Sequence, residues 1–209
     1  MKSLQRALIA LSLAASTSLA VAAGPVAVSA SSNTGTTLNG TVGLVHDGIF
    51  PDEFDFYAGP NTVSWVGQDS LTNGIPNSAV FTLTFDQIYT LQDVRLSIDN
   101  NDFYQMQVSI DGANWNTLFT ALSFEGEVDN GMDTMSSVAG DPEFVTSIDF
   151  VASQARYARI YAVTGDNHYA VGEIQFTGTP AVPEPSHYAL LGAGLIGLGM
   201  RLRAGKHRK

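Results

Sequence analysis

The sequence predicts an all-β chain folded as an antiparallel β-sandwich, and three observations carry that expectation. Apolar residues recur with a period of two through the middle of the chain, turn-forming residues separate the runs, and no segment before the C-terminal tail sustains a helical period. Phe81, Leu83 and Phe85 alternate with Thr82 and Thr84, and Val94, Leu96 and Ile98 alternate with Asp93, Arg95 and Ser97. Successive strand side chains point to opposite faces, so each run turns its apolar set inward and its polar set outward. Tyr104, Met106, Val108 and Ile110 alternate with Gln105, Gln107 and Ser109. Ile148 and Phe150 flank Asp149, and Ile174 and Phe176 lie among Glu173, Gln175 and Thr177. Residues 156–163 are aromatic and β-branched enough for another strand. Asp111-Gly112 suits a tight turn between two runs, so residues 104–119 read as a hairpin. Strands with one apolar face each bury it by packing sheet on sheet.

Both ends read as address labels. Lys2 and Arg6 precede an apolar run from Ala7 and then small residues, the order of a secretory signal peptide over residues 1–23, with cleavage after Ala22 or Ala23. Residues 24–39 form a small, polar lead-in. At the other end, Tyr188 to Met200 is apolar but would span only about 20 Å as a helix, against a hydrocarbon core of about 30 Å. Gly192, Gly194, Gly197 and Gly199 weaken that helix further. Arg201, Arg203, Lys206, Arg208 and Lys209 would hold the tail on the cytoplasmic side. A brief stop in the membrane followed by removal fits these features better than a permanent anchor. Residues 192–197 spell G-x-G-x-x-G, yet Pro183 and Pro185 precede them where a dinucleotide site needs a strand.

Without the two ends, the charge balance is lopsided. From Gly24 to Pro185 only Arg95, Arg156 and Arg159 stand against twenty Asp and Glu, a formal charge of −17. Such a surface repels nucleic acid and anionic lipid, and it attracts cations. The chain has no cysteine, which excludes thiol catalysis, cysteine metal sites and disulfides together. The fold must rest on its own core, which a single domain of this size supports.

Val182-Pro183-Glu184-Pro185, the Gly-rich apolar segment and the Arg-rich end, with Arg201 and Arg203, resemble the PEP-CTERM sorting signal of Gram-negative bacteria that make exopolysaccharide. The resemblance implies processing by an exosortase, transient inner-membrane insertion of the C-terminal segment, and delivery to the cell surface or extracellular matrix. Residues 179–187 would be the Pro-rich linker and 188–209 the hydrophobic sorting helix with its basic tail.

Residues 40–178 resemble a discoidin-like (coagulation-factor type C) domain. Asp47-Gly48 followed by Trp65 is similar to the family's first turn and tryptophan. Residues 109–115, SIDGANW, resemble its hairpin, 156–160, RYARI, its penultimate strand, and 173–176, EIQF, its closing strand. The resemblance implies a single galactose-binding-like jelly roll with ligand loops at one end and, in many members, carbohydrate binding. It also implies a structural calcium, for which Asp47, Glu173 and the neighbouring Asp52 are the candidate ligands, and it places Trp65 and Trp115 in the core. Calcium takes six to eight oxygen ligands from a turning loop.

Two loops carry the mixture that sugar recognition needs, an aromatic face for the ring and polar groups for the hydroxyls. One offers Asn101, Asp102 and Phe103; the other offers Asp166, Asn167, His168 and Tyr169. Tyr104, which opens an alternating run, reads as core. Residues 123–143 are acidic, miss the spacing of an EF-hand and read as a long surface loop. No G-x-S-x-G elbow and no distinguished carboxylate pair points to catalysis. The expectation is a non-catalytic carbohydrate-binding protein; the alternatives are an adhesive matrix protein and a polysaccharide-acting enzyme.

Overall fold

A computed structural model describes residues 22–67, 71–72, 75–76, 79–181, 192 and 194–196. Residues 1–21 of the expected signal peptide, and Val182, Pro183, Glu184, Pro185, Arg201 and Arg203 of the sorting signal, lie outside the described residues.

Among the described residues, eleven strands follow in order: β1 (Gly24–Pro25), β2 (Val28–Thr34), β3 (Val63–Val66), β4 (Leu71–Thr72), β5 (Ile75–Pro76), β6 (Val80–Asp99), β7 (Phe103–Ser109), β8 (Asn116–Ala121), β9 (Met132–Ser136), β10 (Ser153–Thr164) and β11 (His168–Pro180). The β4–β5 pair stands as a small ribbon of its own. All the pairings between strands are antiparallel.

Strand β6 is the spine. In its first half it lies between β2 and β10, with β7 and β8 continuing beyond β10. In its second half it lies between β9 and β11, and β11 carries β3 and β1 at its two ends. The two halves thereby contribute to two layers that face each other across one core. Trp65 of β3 shows this directly, with its ring centroid 5.1 Å from Phe81 of β6 and 6.3 Å from Tyr104 of β7. Phe85 of β6 meets Phe176 of β11 at 5.8 Å. Full burial of each such side chain contributes on the order of 2–3 kcal/mol. The jelly-roll β-sandwich expected from the sequence is the fold.

The sequence divides β6 into two runs, and the structure joins them. The buried set changes parity along it, from Phe81, Leu83, Phe85, Tyr89 and Leu91 to Val94, Leu96 and Ile98. A bulge reconciles the two: Asp93 faces Thr177 and Leu91 faces Gly178, which leaves Gln92 as the extra residue. One unpaired residue flips every later side chain to the other face.

The expected hairpin is β7–β8, closed by residues 110–115. Asp111 organises its turn. Its Oδ1 accepts the backbone N–H groups of Ala113 at 2.9 Å and Asn114 at 2.8 Å, and Gly112 takes the left-handed conformation there (φ 74°). Trp115 departs from expectation. It is half-buried, and the Arg159 guanidinium lies over its ring at 4.2 Å.

Residues 123–143 are also not one surface loop. Met132–Ser136 is the wholly buried strand β9, paired with β6. Burial on both faces removes the alternation that would have marked it as a strand. The segment before it is tied down by buried Asn100, whose side-chain amide donates to the carbonyls of Glu125 (2.6 Å) and Val128 and to Asp133 Oδ2 (2.7 Å).

Candidate functional site

Strand β6 ends, β7 and β11 begin and β9 starts at one pole of the sandwich, so the loops there converge. A cleft of about 410 Å³ opens among them, lined by Phe54, Asp55, Phe56, Tyr57, Asp99, Asn101, Asn130, Gly131, Asp166 and His168.

The structure brings the two loops singled out by sequence to this pole. Asn101 Nδ2 donates to Asp166 Oδ2 at 3.1 Å, and the Asp166 backbone N–H donates to Asp102 Oδ1 at 3.0 Å. Asp166 Oδ1 in turn accepts the His168 backbone N–H at 2.7 Å, with Asn167 in the left-handed region (φ 72°). Asn101, Asp166 and His168 line the cleft.

The other four expected ligand residues do not line it. Asp102 is buried beneath, its Oδ2 accepting from the Tyr104 hydroxyl at 3.3 Å. Burial, opposed by the bond from the Asp166 backbone, pushes its carboxyl up to about 8. Tyr169 is core, 5.5 Å from Trp65, because β11 pairs it opposite that residue. Phe103 is held in register with Thr164, and Asn167 shapes the turn.

Sequence reasoning missed the third wall. Phe54 and Phe56 are 70% and 67% exposed, unusual for phenylalanine, and both line the cleft. Tyr57 packs against the Phe56 ring at 4.5 Å and edge-on to His168 at 5.4 Å. This loop is fixed to β9 by two backbone bonds, Phe54 N–H to Met132 O at 3.0 Å and Met132 N–H to Asp55 O at 2.9 Å. Phe54 takes φ 66°, a strained value for a bulky residue that the two bonds hold. The sequence signal was there: three aromatics within four positions, unrelated to any strand period, in a loop of acids and turn formers.

Asp99, the last residue of β6, was also missed. It is 2% exposed, and among the described residues neither its Oδ1 nor Asn101 Oδ1 has a hydrogen-bond partner. Burial first, and then the charge of Asp166, push its carboxyl up to about 6, against the Gly131 backbone bond and His168, which lower it.

The calcium set does not assemble as the sequence proposed. Asp47 and Glu173 line a second cavity of about 370 Å³, which Asp52 does not reach. Glu173 is buried and accepts the Gly48 N–H at 3.1 Å, so it closes the 47–48 turn by hydrogen bonding. Burial pushes its carboxyl up to about 7. Among the described residues no group of three or more His, Asp or Glu side chains could hold a metal ion. These residues do not fit the expected calcium site.

Fold and cleft together define a class: a jelly-roll module whose loops form a polar, aromatic-rimmed cleft at one end. Residues 181–204 match the PEP-CTERM protein-sorting motif, so the chain carries the mark of an exported protein handled at the membrane. No curated protein matches the sequence. Among solved structures, the chain is similar to CBM32-1 from a family 31 glycoside hydrolase of Clostridium perfringens, at 15% identity over 72% of this chain and 95% of that one, with a TM-score of 0.43. It is similar to a Streptococcus pneumoniae fucose binding module at 12% identity over 70% and 89%, with a TM-score of 0.45. It is also similar to a truncated AlyQ with CBM32 and alginate lyase domains, at 14% identity and a TM-score of 0.49, covering 77% of this chain and 34% of that chain. The chain thus spans about a third of that protein's length.

Proposed function

We propose that this is an exported, surface-sorted protein that binds carbohydrate without turnover, using the cleft between residues 54–57, 99–101, 130–131 and 166–168. The observation that supports this most is the pairing of two exposed phenylalanines at the rim with unpartnered acceptors, Asp99 Oδ1 and Asn101 Oδ1, at the base. A sugar ring presents an apolar face and a fringe of hydroxyl donors, and such a cleft answers both. The PEP-CTERM motif supports export and exosortase processing, with an exopolysaccharide matrix as the natural source of ligand. Calcium is not part of the proposal.

A glycan array probed with the protein recovered after export, with and without added calcium, tests this. Saturable binding that weakens by roughly 10-fold in Phe56→Ala supports it. Silence across all glycans overturns it in favour of the adhesive reading, and release of products from any polysaccharide overturns the non-catalytic part.

A further inference from the structure

The charge of the cleft narrows the class of sugar. Among the described residues three carboxyl groups line it, Asp55, Asp99 and Asp166, and no lysine or arginine does. The one basic side chain, His168, is already engaged, with its Nδ1 3.6 Å from Asp166 Oδ1. Exposed acids alone would mean only a solvated face. Asp99 is different, because it is a buried lining residue with an oxygen that nothing among the described residues satisfies. Beside it the Asn101 oxygen is also without a donor. The cleft therefore carries a negative field with no counter-charge among its described lining residues, and two of those residues, Asp99 and Asn101, hold acceptor oxygens that no described donor satisfies.

Resting on the carbohydrate-binding reading, we propose that the cleft takes an amino sugar with a free, protonated amine, its ammonium set against Asp99 and Asn101. An ammonium brings three donors and no acceptor, which matches a site made of acceptors. A neutral hydroxyl brings one donor, and an N-acetyl group brings a carbonyl oxygen that would face the carboxylates. A uronate would bring a like charge into a domain of formal charge −17. A bare metal ion is poorly served, since although Asp55, Asp99, Asp166 and His168 line the cleft, no three His, Asp or Glu side chains among the described residues are placed to hold one ion. The rim of Phe54, Phe56 and Tyr57 adds π faces, which attract a cationic ring substituent as well as the sugar's C–H face. A lysine-rich peptide shares the charge but has no broad face to lay on that rim.

Calorimetric titration of the exported protein with four probes tests this: a glucosamine tetramer, its fully N-acetylated counterpart, an oligogalacturonate and tri-lysine. The free-amine tetramer should bind at least about 10-fold tighter than the acetylated one, as expected for a hydrogen bond to a charged group. Binding should weaken with salt, and the other two probes should give no saturable signal. Asp99→Asn should collapse the preference toward unity, and exposed Asp166→Asn, which leaves the buried base intact, should reduce it. Equal or tighter binding of the acetylated tetramer overturns the proposal while leaving the carbohydrate reading intact. So does binding of the uronate, or a preference unchanged in both variants. Tri-lysine binding as tight as the tetramer overturns the sugar in favour of a cationic peptide. Silence with all sugar probes and with the array removes the carbohydrate reading itself.

Discussion

The Asp102 carboxyl accepts the Asp166 backbone N–H at 3.0 Å, and with the Asn101 side-chain bond to Asp166 it joins the β6–β7 turn to the β10–β11 turn. The two cleft residues Asn101 and Asp166 are held as neighbours by both bonds. Gly165 makes the Asp102 bond possible: a Cβ there would come within 1.6 Å of Asp102 Oδ1. Gly165→Ala should therefore destabilise the domain by about 1–3 kcal/mol, the usual cost of forced overpacking. It should also weaken ligand binding, because Asp166 loses its support. Urea melts and titrations on the same variant check both, and an unchanged midpoint would sink the account.

Phe54 and Phe56 offer the opposite test. Both are mostly exposed, so Phe54→Ala and Phe56→Ala should leave stability within about 0.5 kcal/mol. Glycan affinity should fall by roughly 10-fold in each, about 1.4 kcal/mol. Thermal melts and array titrations separate the two effects.

Stability should fall as pH rises. Burial raises the carboxyls of Asp99 to about 6, Glu173 to about 7 and Asp102 to about 8, all above their unfolded values near 4. Between those limits the folded state holds more protons than the unfolded one, so the slope of stability against pH is negative. The penalty is absent below pH 4 and complete above pH 8. The midpoint of thermal unfolding should be higher at pH 5 than at pH 8, by more than about 4 °C. A midpoint that rises toward pH 8 would contradict the burial of these groups.

Arg159 lies over Trp115 and donates from Nε to Gln107 Oε1 at 2.8 Å. Arg159→Ala should cost about 1 kcal/mol and leave the Trp115 ring more exposed. A red shift in tryptophan emission would report it, since Trp65 is buried and far less affected.

Mass spectrometry of the protein recovered outside the cell should find a mature N-terminus at Ala23 or Gly24 and loss of the basic C-terminal tail. Intact full-length chain in that fraction would refute both processing steps.

The alternating strands were legible because each buries one face only, and period two is then written into the residues. Strand β9 was not, since Met132–Ser136 is buried throughout and shows no period. The joining of Phe81–Phe85 to Val94–Ile98 was hidden by a bulge at Gln92, which reverses parity and imitates a break. At the site, Asn101, Asp166 and His168 stood out by residue type in turns, but Tyr169 could not be separated from them. Its burial depends on pairing opposite Trp65, a partner about one hundred residues earlier in the chain. Asp99 looked like one more acid at a strand end; only the convergence of distant loops over it makes it unusual.

Strand β11 runs from His168 beside the cleft to Pro180, about 40 Å at the usual rise for thirteen residues. Gly24 pairs with Gly178 near the far end of the same strand. Gly24 and Pro180, at the two ends of the described domain, therefore lie at the pole opposite the opening. The cleft is thus the part of the described domain farthest from both of its ends, so additions at either end would leave the opening unobstructed.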